Sequence, residues 1–325
     1  MGSPPTGAPD RESSVAPTTG RIVRILVILG VNLALVFAVT ALASVRGTLP
    51  DLNAGTLAET LAVQLLPISA AIGLVLVCRR LDLSLPVLFV AAAAMRANPW
   101  AFAGDPGLRM LILCGLAAGV AVTSTLVTWY GRIASALWTV LLACLLWRLP
   151  VLAKAPPLFG SAGWPWTAAV AASMGFLLAA AAVLGLLRLV APPSSPPIFH
   201  TGSHGLAGLA AAWAVAAVAM VLAAGADPPK EIAEAPWLAY PPALAAAALG
   251  GAYILRGQWG AMSAVVLTAV GHLAWAFTLQ ADLGDKTLNV LVPVAAPLVA
   301  VPLYLLLDWL IRQRTGESAP TALLA

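Results

Sequence analysis

The chain has 325 residues, 61% of them hydrophobic and only 9% charged, with a net charge of +4 and a mean hydropathy of +0.95. A soluble domain carries roughly 25% charged residues, so these figures exclude an ordinary water-soluble enzyme and define a polytopic membrane protein. The basic residues stand singly or in pairs between apolar runs, with no basic stretch interleaved with aromatics, which argues against nucleic-acid binding.

Residues 1–20 are rich in Pro, Ser, Thr and Gly and read as a disordered tail. Arg21 and Arg24 then precede an apolar run from Ile25 to Val45. Ala41-Leu42-Ala43 has the look of a signal-peptide cleavage site. The run is longer than the roughly 7–15 apolar residues of a signal peptide, so it reads as a first transmembrane helix. Ten candidate spans follow in all: 22–45, 59–78, 83–97, 108–129, 133–151, 165–188, 204–225, 236–255, 259–280 and 288–311. The third is short. Pro241-Pro242 kinks the eighth or sets its start inside the membrane, and Pro293, Pro297 and Pro302 bend the tenth. Gly115 and Gly119 form a GxxxG pair, read as helix packing.

The stretch from 60 to 95 is too long for one crossing. As one helix it would measure roughly 54 Å at 1.5 Å per residue, against a hydrocarbon core of ~30 Å. The chain must break, and Arg79-Arg80-Leu81-Asp82-Leu83-Ser84-Leu85-Pro86 marks the place. Channels and transporters put irregular backbone at such polar breaks. The competing reading makes Asp82 an interfacial acid paired with Arg79 or Arg80.

With a cytoplasmic N-terminus, ten of the basic residues face inward and seven outward, the direction the positive-inside rule requires. An even number of spans puts both termini inside. Spans one to five and six to ten divide the domain at 21–314 into halves of about 21–155 and 164–314. Five is odd, so the halves would be inverted relative to each other. The proline-rich stretch 189–204 joins them on the cytoplasmic side, and 315–325 form a second tail. The expected fold is therefore an all-α membrane bundle of about ten helices, some broken or kinked.

No GxxxxGK loop, HExxH, GxSxG or paired acidic motif occurs, so the chain reads as a non-enzyme with no ATPase site of its own. Cys78, Cys114 and Cys144 read as small buried hydrophobes, with no metal or disulfide pattern. His272 stands alone in an apolar span, either as a packing histidine or as a residue of a polar path; a hydrolase pair with Ser173 has no supporting motif. Asp308 reads as an interfacial partner of Arg312 at i+4. His200 and His204 have i, i+4 spacing but Gly202 lies between them and no third ligand is near, so they read as part of a solvated loop.

The segment order resembles the permease family of ribose-type ABC transporters. Leu81-Asp82-Leu83-Ser84-Leu85-Pro86 stands where that family has Gly-Gly-Ile-Asp-Leu-Ser-Val-Gly, keeping the Asp-Leu-Ser core. Tyr130-Gly131-Arg132-Ile133 sits at the turn of the family's next block. Gly250-Gly251-Ala252-Tyr253-Ile254-Leu255-Arg256-Gly257-Gln258-Trp259-Gly260-Ala261 resembles its later glycine turn, and Leu306-Leu307-Asp308 the end of its last helix. The resemblance spans about residues 25–312. The family's longer cytoplasmic segment between spans six and seven is cut down here to about Arg188–His204.

The resemblance implies a permease subunit in the cell membrane, moving a small polar solute, a sugar by analogy, through alternating access. It implies a second permease subunit, ATP-binding partner subunits that hold the only ATP, an extracytoplasmic solute-binding protein, and no cofactor in this chain. Asp82, Ser84, Gln258 and His272 would lie on the path. Pro192, Pro197, His200, Thr201 and His204 would dock the ATPase. The shortened docking segment and replaced glycines favour an alternative: a membrane scaffold or regulatory subunit that no longer transports.

Overall fold

A computed structural model describes residues 16–47, 61–78, 80–97, 105–131, 133–152, 163–190, 203–255 and 260–315. Every regular element among them is helical. In chain order they are α1 (Ala16–Val45), α2 (Leu61–Val77), α3 (Leu85–Ala97), α4 (Pro106–Tyr130), α5 (Ser135–Leu152), α6 (Trp166–Val190) and α7 (Ser203–Ala223). The short α8 (Lys230–Glu234), α9 (Tyr240–Leu249), α10 (Gly260–Gln280) and α11 (Lys286–Thr315) follow. Two 3₁₀ turns, Pro236–Ala239 and Ala252–Ile254, flank α9.

Six of these helices, α1, α4, α6, α7, α10 and α11, are long and apolar enough to cross a membrane. The protein is thus an all-helical, membrane-embedded bundle. The remaining expected crossings are shorter. α9 has ten residues, about 15 Å at 1.5 Å per residue, half of the ~30 Å hydrocarbon thickness. The expected span 236–255 is therefore not one crossing. Pro236 opens the first 3₁₀ turn, Pro241 and Pro242 sit in the first turn of α9, and Gly250 and Gly251 end it. The break in the second apolar stretch falls at residues 78–84, with Pro86 in the first turn of α3.

Prolines at these starts have a physical purpose. The first four N–H groups of a helix have no partner within it, and inside a bilayer water cannot supply one. Pro86 removes one such donor from α3, and Pro241 with Pro242 removes two from α9. α11 runs unbroken through Pro293, Pro297 and Pro302. Pro297 cannot donate to the carbonyl of Pro293, four residues earlier, and the indole Nε1 of Trp275 on α10 donates to it instead at 3.1 Å.

Burial separates a centre from a ring. In α1 and α11, 17% of the most apolar window is buried in the bundle, against 56% in α7 and α10, so the first two lie outside. The centre is built from small side chains: Ala70, Ala71, Ala93, Ala212, Ala216 and Ala219 are fully buried. Small residues let helices approach closely where lipid gives no hydrophobic drive to associate. α2 and α10 run antiparallel, with Ser69 against His272, Gly73 against Thr268 and Gly260 against Val77. A methyl at Gly73 would overlap the Thr268 side chain, and one at Gly250 would come within 2.5 Å of the Thr268 backbone. Gly251 turns the chain after α9 at a φ of +59°, a conformation few other residues adopt.

The packing pairs obey an exchange rule. α4 packs on α7 as α2 does on α10; α3 packs on α7 as α9 does on α2; α3 packs on α5 as α9 does on α11. The pairs α3–α4 and α4–α5 correspond likewise to α9–α10 and α10–α11, while α2 and α7 touch each other. Swapping α2, α3, α4, α5 with α7, α9, α10, α11 maps these pairs onto their counterparts and α2–α7 onto itself, while the α2–α3 contact has no counterpart of like extent between α7 and α9. α1 and α6 stand outside the rule: α1 lies on α10 and α11, α6 on α2, α7 and α10.

Several expectations change. Residues 16–20 belong to α1 rather than to a disordered tail. Gly115 and Gly119 have no neighbour within reach of an added Cβ, so this GxxxG pair packs on nothing in the described chain. Cys144 is exposed on the helical surface, and Cys78 and Cys114 are half-buried.

Candidate functional site: a buried break between half-helices

Asp82 and Ser84 lie together where α2 stops and α3 starts. Asp82 Oδ1 accepts two hydrogen bonds from Ser84, one from the backbone N at 2.7 Å and one from Oγ at 2.6 Å. This closed loop caps the start of α3 in the way short polar side chains cap helix N-termini. The rest of the break is bonded to other helices. The N–H of Leu83 donates to Thr139 Oγ1 on α5 at 3.1 Å, and the Leu83 carbonyl accepts from the hydroxyl of Tyr240 at the start of α9. Trp147 of α5 packs edge-on against Trp237 in the turn ahead of α9, with ring centroids 6.0 Å apart. The first residue of α9 thus reaches the break ahead of α3 through the Tyr240 side chain.

The depth of the break follows from helix length. α3 has 13 residues, about 20 Å. Arg96, in its last turn, is bound at one end of the bundle: it pairs with Asp227 and donates to the Ala224 carbonyl at 2.9 Å. Arg109 at the start of α4 donates to the Arg96 carbonyl at 3.2 Å. The Asp82 break is thus about 20 Å along α3 from that polar end.

At the opposite end Arg24 of α1 donates to Asp308 of α11 at 2.8 Å, and Arg312 pairs with the second oxygen of Asp308. The expected Asp308–Arg312 pair is present. Arg24 joins it, buried rather than solvated as a loop anchor would be. On the surface beyond the spans, the Asn289 side chain and the Gly284 N–H hold the Asp282 carboxyl below its usual range.

His272 belongs to a separate cluster. Its Nδ1 lies 2.7 Å from Ser69 Oγ on α2. Ser69 Oγ also lies within hydrogen-bond reach of the Leu65 carbonyl, at 3.2 Å. Ser69 and His272 are fully buried, and Ser173 bonds instead to the Val170 carbonyl in its own helix. Of the residues expected on a path, the structure brings Asp82 and Ser84 together and sets His272 on another interface, while Gln258 lies outside the described residues. Pro192, Pro197, His200 and Thr201 also lie outside them. His204 falls in the first turn of α7, not in the loop expected there.

The cavity beside Asp82 and Ser84 is about 10 Å³, room for one water and no solute. A larger cavity of about 260 Å³ opens at the Arg96 end, lined by Arg96, Arg109, Met110 and Trp164. Sequence reasoning missed Tyr240, Thr139 and Trp213, which surround the break. Their only signal was a polar or aromatic side chain in an apolar run. No group of three or more metal-ligating side chains occurs among the described residues.

No protein-family model, curated protein or solved structure matches the chain.

Proposed function

We propose that the chain is a membrane-spanning permease subunit that moves a small polar solute by alternating access. The carrying observation is the exchange of the packing pairs, together with the two short helices whose starting segments are linked by the Tyr240–Leu83 bond. Two interleaved sets of helices with the same mutual contacts can rock between two arrangements of similar energy. Inverted repeats use that property to alternate access. On this reading α2–α5 and α7, α9–α11 are the two halves, inverted in the membrane. The ion pairs Arg96–Asp227 and Arg24–Asp308 close opposite ends of the bundle.

The cavity at Asp82, about 10 Å³, is too small for a solute. Asp82 and Ser84 then serve as the joint of the moving half-helix, not as solute ligands. The resemblance to ribose-type permeases supports a sugar-class solute, a cell-membrane location with both termini cytoplasmic, and an extracytoplasmic binding protein. ATP would be hydrolysed by a separate subunit docked at residues 189–204, biasing the two-state equilibrium through its differential contacts with the two states.

The sealed joint favours a second reading, a scaffold or regulatory subunit derived from such a permease. Affinity purification of the full chain in mild detergent, with mass spectrometry, separates the two. The permease reading expects an ATP-binding subunit in stoichiometric amount. Its absence under conditions that keep a known ABC transporter intact would sink the ATP-driven reading in favour of the scaffold.

A further inference from the structure

The second oxygen of the Asp82 carboxyl has no assigned partner. Both donors of Ser84 go to Oδ1, and among the described residues no group donates to Oδ2. No ion pair reaches Asp82 there either. The titratable groups around it are Tyr240 on α9, Cys144 on α5, and Cys78 and Arg80 on its own link. From α4 and α7 the side chains facing the same cavity are Ser124 and Trp213. An ionised carboxylate without an ion-pair partner, buried in a helical bundle as Asp82 is, is costly, and acids in membrane proteins persist where they bind something.

Trp213 supplies an independent observation. Its side chain is 1% exposed, and its indole Nε1 has no hydrogen-bond partner. It lines the same cavity as Asp82, which has room for one water. The Trp213 N–H and the second carboxyl oxygen of Asp82, on a water-sized cavity otherwise lined largely by apolar side chains, are two partners that one water satisfies together. The water accepts from Trp213 and bonds to Asp82.

Buried hydroxyls also lead away from this cavity. Ser124, Thr125 and Thr128 on α4 and Ser135 and Thr139 on α5 are buried in sequence positions that step toward the turn joining these helices. Thr139 already bonds the break through the Leu83 N–H. The Thr125 and Thr128 hydroxyls donate to carbonyls of their own helix.

We propose that Asp82 is a proton-binding site in the membrane interior, loaded through one water held between its carboxyl and the indole of Trp213. The neutral acid keeps the Ser84 cap and the half-helix joint closed. Loss of the proton places a negative charge ahead of α3, at the break that the Tyr240 hydroxyl bonds, and draws water into it. The proposal stands whether or not the chain transports a solute.

The test is infrared spectroscopy of the purified full chain in lipid nanodiscs at about pH 7. Ordinary Asp and Glu, which titrate near 4, are ionised there and give no carboxylic-acid band. The expected result is one such band in the wild type, absent in Asp82→Asn and shifted in Trp213→Phe. A wild type without the band means an ionised Asp82, by pairing with Arg79 or otherwise, and overturns the proposal. A band that survives Asp82→Asn also overturns it. Should Asp82→Asn fail to fold, Trp213→Phe and Ser84→Ala decide: a band unmoved by either overturns the assignment, and a shifted one supports it.

Discussion

Asp308 is the residue on which the end of the bundle depends. Its two oxygens are held by Arg24 and Arg312, and the Arg24 and Asp308 side chains are 5% and 6% exposed. Removing one member of a buried pair leaves an uncompensated charge, at a cost of about 3–5 kcal/mol. Asp308→Leu takes the carboxylate away from two guanidinium groups, whereas Arg24→Met leaves Asp308 still bound to Arg312. Thermal unfolding in detergent should rank Asp308→Leu clearly below Arg24→Met, and equal midpoints would mean that Arg24 contributes little. Half of this cluster was legible beforehand. The i, i+4 spacing of Asp308 and Arg312 is a helical rule that any window shows. Arg24 lies 284 residues away, and its role as a loop anchor was the natural reading of a lone arginine ahead of an apolar run. The same limit hid the partner of His272: nothing in the spacing prefers Ser69, 203 residues distant, over Ser173.

At the scale of elements, length and proline carried most of the information. The break near Asp82 was legible because a 60–95 helix would overrun the membrane and because charges and Pro86 coincide there. The groups that satisfy the break, Thr139 and Tyr240, were not legible, since 56 and 157 residues separate them from Leu83. The eighth span failed for the opposite reason: its apolar content satisfied the hydropathy pattern while Pro236, Pro241, Pro242 and the Gly250-Gly251 pair divided it. α11 offers a quantitative check on how prolines are tolerated. The Trp275 indole satisfies the carbonyl that Pro297 leaves open. Trp275→Phe should therefore lose about 0.6–2 kcal/mol from that bond, beyond any change in packing. In Pro297→Ala the helix supplies its own donor, so a double-mutant cycle should show coupling between the two sites. A cycle that closes with no coupling would show that the indole bond adds nothing.

At the scale of the molecule, the two polar ends assign every long helix a direction. Asp105 at the start of α4 and Asp285 ahead of α11 lie at the Arg96 end, and Arg314 lies at the Asp308 end. After replacement of the native cysteines, single cysteines at 105 and 285 should react with an impermeant maleimide from one side of sealed vesicles. A cysteine at 314 should react from the other. Labelling of all three from one side would contradict a membrane-crossing bundle with these ends. The membrane class followed from composition alone, whereas the exchange rule among packing pairs did not, because no residue-by-residue repeat accompanies it. Packing pairs of helices can correspond where their side chains do not.

The ion pair between Arg24 and Asp308 also sets a timetable for biosynthesis. A ribosome adds ~5–20 residues per second, so roughly 15–60 s pass between the synthesis of these two residues, 284 positions apart. Throughout that interval the first span carries a guanidinium whose partner does not yet exist, and it must wait with that group reaching to the headgroups. α1 is thus the first helix made and among the last to be seated. A nascent chain halted ahead of residue 308 leaves it loose at the edge of the bundle, open to whatever surveys unfinished membrane proteins.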